Sequence, residues 1–279
     1  MRIDAHQHFW KTARGDYGWL TPALQPLWRD FLPEDLAPLL KQHRIDKTIL
    51  VQAAPTEAET HFLLDLALRT PFVAGVVGWT DLAAEDAPRR IAALAQDPLL
   101  VGLRPMVQDI DDDNWLLRQD LGPAFKAMVQ HDLVFDALVL PRHLARLRLV
   151  LHRHPDLKVV VDHAAKPEIR ERRFTDWRDD MAAIADQPQT YCKLSGLVTE
   201  ATADWTIADL EPVAAGLFAS FGPDRLLFGS DWPVVTLAAD YGRWVDTAEA
   251  LCSPFSATQR AAIFGATAAE VYLRHRGRR

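Results

Sequence analysis

The sequence predicts an α/β fold, a closed TIM (β/α)8 barrel with a C-terminal capping helix, and three observations carry that expectation. Short apolar runs recur along the 279 residues, each followed by a turn and a helix-like segment. The length suits one barrel of roughly 250 residues. No glycine-rich phosphate loop follows any run, which disfavours the runner-up, an open doubly wound sheet.

In chain order the runs are Ile3–His8, Thr48–Ala53, Phe72–Trp79, Leu99–Met106, Leu133–Val139, Lys158–His163, Thr190–Leu194 and Leu226–Ser230. Between the first two, Pro33 fits the first turn of a helix, and Leu36, Leu39 and Leu40 form an apolar stripe that should face the barrel. Near the end, Ser256-Ala257-Thr258-Gln259 has the spacing of a capping box ahead of Ile263, Val271 and Tyr272, which places a closing helix on the barrel's end or side. No repeat, low-complexity tract or Gly/Ser linker divides the chain, so residues 1–279 read as a single barrel domain.

The charge balance narrows the partners. With 31 Lys and Arg against 38 Asp and Glu the formal net charge is −7, which repels nucleic-acid phosphates and anionic lipid. The short tail Arg274, Arg276, Arg278 and Arg279 is the sole basic cluster. The 2 cysteines, Cys192 and Cys252, stand far apart and form neither a disulfide framework nor a thiolate metal site. No stretch approaches the roughly 18 apolar residues of a membrane span, and the N-terminus lacks an apolar signal region. The expectation is a cytoplasmic monomer or homodimer with neither nucleic-acid nor membrane partners.

In such a barrel the chemistry lies at the C-terminal ends of the strands, so polar residues closing apolar runs are the informative ones. His6 and His8 are two apart on a strand and share a face, where two imidazoles can bind a metal, position a water or simply hydrogen-bond within the core. Asp231 closes Leu226-Leu227-Phe228-Gly229, where a carboxylate is costly unless paired or in use; capping the next helix is its bland role. His163 follows Val159-Val160-Val161 in the same way, with Lys166 shortly after. Arg104 either reaches the cavity or pairs with Asp136 on the adjacent strand. Trp10, Trp79 and Trp232 lie near strand ends, where an indole face can pack against the C–H face of a sugar or against the core.

The segments Asp4-Ala5-His6-Gln7-His8-Phe9-Trp10, Val161-Asp162-His163-Ala164-Ala165-Lys166-Pro167 and Phe228-Gly229-Ser230-Asp231-Trp232-Pro233 resemble the amidohydrolase superfamily. More narrowly, the chain looks like its amidohydrolase-related sugar-lactonase group, which includes L-fuconolactonase and L-rhamnono-lactonase. Gly102-Leu103-Arg104-Pro105-Met106 and Lys193-Leu194-Ser195-Gly196-Leu197 are similar too. The resemblance implies a TIM-barrel hydrolase of an aldonolactone in L-fucose or related carbohydrate catabolism, with His6, His8, His163 and Asp231 in the site. Binuclear members of the superfamily bridge two metals with a lysine or glutamate from strand four and use a histidine from strand five. Here Arg104 and Asp136 stand in those regions, and a guanidinium repels a second metal.

A lactone is an activated ester that needs less electrophilic help than an amide, so hydrogen-bond donors suffice and the expectation is a lactonase that requires no metal. Asp231 acts as base, His8, His163 and His6 are catalytic, and Arg104, Lys166, Trp79, Trp10, Trp232 and Asp136 bind substrate. If one divalent ion such as zinc is held, His6, His8 and Asp231 hold it. The alternatives are a hydrolase or decarboxylase of a pyrone or aromatic-derived carboxylate, and a non-catalytic sugar-binding barrel.

Overall fold

The computed structural model describes residues 1–274; Arg276, Arg278 and Arg279 of the basic tail lie outside the described residues. Eight parallel strands run in chain order: β1 (Ile3–Gln7), β2 (Lys47–Val51), β3 (Val73–Gly78), β4 (Leu100–Leu103), β5 (Val134–Ala137), β6 (Val159–Val161), β7 (Thr190–Leu194) and β8 (Leu226–Phe228). Each expected run overlaps one of them, and only β2 begins a residue before its run, at Lys47. The ring closes just above β8, where His8 N donates to Trp232 O at 2.7 Å and Asp231 N to His6 O at 2.8 Å. That seam places Asp231 beside the first-strand histidines.

Ten α-helices surround the strands: α1 (Pro33–His43), α2 (Glu57–Arg69), α3 (Ala87–Leu94), α4 (Gly122–Gln130), α5 (Leu144–Arg153), α6 (Thr175–Ala185), α7 (Ile207–Phe221), α8 (Tyr241–Leu251), α9 (Ala257–Ala261) and α10 (Thr267–Leu273), counted among the described residues. Pro33 occupies the first turn of α1, which buries Leu36 and Leu40. The capping box forms as its spacing predicts, with Gln259 N donating to Ser256 Oγ and Ser256 N to Gln259 Oε1. None of these helices is long and apolar enough to cross a membrane.

The barrel interior is divided along its axis. Its lower part packs Ile3, Ala5, Ile49, Val51, Val77, Val101, Val134, Val160 and Leu227 against Ala268, Val271 and Tyr272 of α10. β-Branched residues fit this pleated, doubly covered surface, and α10 closes the end that carries no chemistry. Above that layer the inward positions turn polar. On β1 the switch is made by a register irregularity between Asp4 and Gln7, which pair with Thr48 and Leu50, so three steps on β1 match two on β2. Ile3 and Ala5 face the apolar layer, and the extra residue then lets His6 and His8 turn to the same interior.

Candidate active site

His8 defines the local chemistry. Its Nδ1 lies 2.8 Å from the carbonyl oxygen of Val51, which can only accept, so Nδ1 carries the proton and a neutral ring directs its Nε2 lone pair inward. That Nε2 is 3.2 Å from His6 Nε2 and 3.3 Å from Asp231 Oδ1. Asp231 Oδ1 is also 3.7 Å from His6 Nε2 and 3.7 Å from His163 Nε2. Three imidazoles thus converge on one carboxylate oxygen in a buried site.

Lone pairs aimed at an anion repel unless a proton or a metal ion lies between them. Ligands about 2.0–2.1 Å from a tetrahedral ion stand about 3.3–3.4 Å apart, close to the separations among His6, His8 and Asp231. His163 adds a further donor, since ligand atoms of His6, His163 and Asp231 all lie within 4.8 Å of one another. The outer ring nitrogens have the supports metal-bound histidines use: the Val51 carbonyl for His8, Asp162 Oδ1 at 3.3 Å for His6, and Ser195 Oγ at 2.9 Å for His163. The residues present fit a single divalent cation. Arg104 Nη1 lies 3.4 Å from His6 Nε2, which leaves no place for a second ion on that side.

A buried charge network underlies the histidines. Lys193, fully buried on β7, contacts Asp136 Oδ2 at 2.5 Å, Asp162 Oδ1 at 2.8 Å and His6 Nδ1 at 3.1 Å. Arg104 bonds Asp162 Oδ2 at 3.3 Å and donates to the Gln52 carbonyl, while Tyr272 donates its hydroxyl to Asp136 Oδ1 at 2.7 Å. Two cations and two carboxylates balance, which makes their burial tolerable. Burial holds His6 well below the ordinary histidine range, aided by the Lys193 ammonium and opposed by Asp162. His163 is lowered to about 4 by burial. Burial alone would raise Asp231, but His163, His8 and His6 outweigh it and keep the carboxyl well below its usual range.

The backbone is strained where it presents these groups. His163, Ala164, Ala165 and Lys166 have φ of 52°, 53°, 58° and 51°, a turn of left-handed chain without glycine, and Asp231 has φ 58°. Each such residue costs roughly 1–2 kcal/mol, and such strain clusters at functional sites. Two glycines make room for the rings: a Cβ on Gly196 would lie 2.5 Å from His163 Nδ1, and one on Gly229 would lie 2.7 Å from His6 Cβ.

The pocket above the cluster has a volume of about 160 Å³, and His8, His163, Asp231, Arg104, Lys166 and Trp19 contribute to its wall. His6 forms its buried floor. Arg104 reaches the cavity, as one of its two expected placements has it, whereas the expected Asp136, Trp10, Trp79 and Trp232 lie outside this pocket. Asp136 lies beneath the pocket, paired with Lys193, while Arg104 pairs with Asp162. Trp10 and Trp232 pack edge-on against Phe31 at 5.2 and 5.3 Å between ring centres, and both are core residues outside the pocket wall. Trp79 lines a neighbouring cleft.

Sequence reasoning assigned no role to Asp162, Lys193, Ser195 or Trp19. A lysine inside the short run Thr190–Leu194 was the available signal for Lys193, whereas Trp19 sits in the long segment after β1 and has no strand to announce it.

Eight parallel strands with a histidine and carboxylate cluster at their C-terminal ends define a (β/α)8-barrel protein with the makings of a hydrolytic centre. The chain belongs to the amidohydrolase family, whose model matches residues 3–274. It is 48% identical over 276 residues to an L-fucono-1,5-lactonase of Burkholderia ambifaria, covering 98% of this chain and 95% of that protein. It is 39% identical over 286 residues to an L-fucono-1,5-lactonase of Burkholderia multivorans, covering 98% and 96%. A crystal structure of a Burkholderia multivorans amidohydrolase with bound zinc superposes with a TM-score of 0.93 at 38% identity, covering 98% of this chain and 99% of the other.

Proposed function

We propose that this protein hydrolyses a sugar lactone, of the kind represented by L-fucono-1,5-lactone, to the open-chain aldonic acid. The observation that carries the reading is the ionised Asp231, gripped by three imidazoles at the base of a pocket walled by Arg104 and Lys166. That arrangement supplies a base and, in Arg104 and Lys166, positive charge to one small pocket. The 48% identity to an L-fucono-1,5-lactonase supports the substrate class.

A water oxygen attacks the lactone carbonyl carbon and gives its proton to Asp231. Because Oδ1 faces the imidazoles, Oδ2 is the oxygen that takes the proton. Arg104 and Lys166 stabilise the negative charge that develops on the carbonyl oxygen. The tetrahedral species then collapses, the bond from carbonyl carbon to ring oxygen breaks, and Asp231 returns the proton to that oxygen. His6 orients His8 and is itself held by Asp162 and Lys193. A divalent ion held by His6, His8 and Asp231, with His163 beside them, would polarise the lactone carbonyl.

The convergent lone pairs favour a bound ion over the metal-free reading of the sequence. A panel of aldonolactones followed with a pH indicator, with and without a chelator, tests reaction, substrate and metal together. We expect turnover of an L-sugar lactone, lost on chelation and restored by zinc. Thermal stabilisation by lactones with no turnover under any condition would instead make this a sugar-binding barrel.

A further inference from the structure

A second cavity, about 530 Å³ in volume, opens beside the reaction pocket and shares Trp19, Met106 and Asp109 with it. The reaction pocket, at about 160 Å³, holds the volume of roughly five waters at about 30 Å³ each, the space of one small sugar ring. The cleft is more than three times larger and by itself falls in the range of about 300–1,000 Å³ typical of ligand sites. A monocyclic lactone leaves it unused.

Its chemistry is specific. Trp19, Trp79 and Trp115 all line it. Each of the first two is fixed: Trp19 Nε1 donates to the Ala53 carbonyl at 2.7 Å, and the Trp79 backbone is gripped at both N–H and C=O by Thr60 Oγ1, at 2.7 and 2.8 Å. Indoles present flat apolar faces and, with two side-chain torsions, lose little conformational entropy on binding. The charged groups in the lining are Asp16, Asp81 and Asp109, with no lysine or arginine among them. Asp16 is paired with Arg14 at 2.6 Å, so Asp81 and Asp109 set the sign. A phosphate or uronate is repelled here. A neutral polyol, with C–H faces for indoles and hydroxyls for carboxylates, is accepted.

We infer that the tryptophan cleft is a subsite for a neutral glycosyl substituent, so that the substrates include lactones whose ring carries a second sugar. This rests on the lactonase reading and extends it. The bonds made and broken are unchanged, since the second sugar only binds.

The test uses the full-length protein and L-fucono-1,5-lactone, unsubstituted and with a β-glucosyl group on each ring hydroxyl in turn. At least one glucosylated lactone should show a kcat/KM tenfold or more above the unsubstituted one, with the gain mostly in KM. Trp79→Leu should raise KM for that substrate tenfold or more. Ile110→Trp, which fills the cleft from the loop after β4, should abolish the gain while hydrolysis of the unsubstituted lactone stays within twofold. If every glucosylated lactone is hydrolysed more slowly than the unsubstituted one, the subsite is refuted and the lactonase reading stands. If no lactone is hydrolysed at all, the lactonase reading itself has failed.

Discussion

The two ends of this barrel are built from the same eight strands yet obey opposite rules. The lower end is aliphatic, covered by α10, and its residues Ile3, Val134, Val160 and Leu227 serve packing alone. The upper end buries Lys193, Asp136, Asp162, Arg104, His6 and Asp231 and carries the left-handed residues from His163 to Lys166. Burial of charge and backbone strain both reduce stability, and here they are concentrated where ligand chemistry needs them. The apolar end offsets that cost. A few residues above the point where the interior turns polar, the same strands stop stabilising and begin to position.

If that division holds, substitutions at the two ends separate activity from stability. The largest effect belongs to Asp231→Asn, which keeps the shape but removes the proton acceptor. We expect kcat to fall by about 10³-fold or more with the melting temperature little changed. Near-native turnover would remove Asp231 from the reaction.

Next come two substitutions compared with each other. Lys193→Met strands Asp136 and Asp162 without their shared cation and should cost about 3–5 kcal/mol, together with activity, because His6 loses a support. Val271→Ala, in the apolar layer, should cost about 2 kcal/mol and leave kcat/KM intact. Chemical denaturation alongside lactone kinetics reads both quantities. An activity loss in Val271→Ala without a change in substrate-bound structure would contradict the division.

The smallest effect is in pH. His163 is neutral above its lowered value of about 4, so kcat/KM should stay level from neutral pH downwards and decline only as the pH drops through about 4. Asp231 remains ionised across that range, which assigns the limb to the imidazole. A limb centred near 6.5 would show that His163 is solvated in the working enzyme.

Much of this was legible in the sequence because it is written in local patterns. Apolar runs of strand length gave all eight strands, and the spacing of Ser256 and Gln259 gave the cap before the closing helix. Polar residues that end apolar runs marked His6, His8, Arg104, His163, Lys166 and Asp231, which the fold brings to one pocket and its floor. Aromatic residues misled, because an indole near a strand end can face core or cavity with the same composition; Trp10 and Trp232 face the core.

Sequence alone determined the period of the elements, the overall charge and which residue types stand at strand ends, all properties of neighbours along the chain. Pairing, tautomer and access were decided by tertiary structure. Arg104 bonds Asp162 and leaves Asp136 to Lys193, the Val51 carbonyl fixes the proton on His8, and loop residues such as Trp19 reach the pocket. Each of these depends on distances between strands and loops far apart in sequence, which only the closing of the barrel sets.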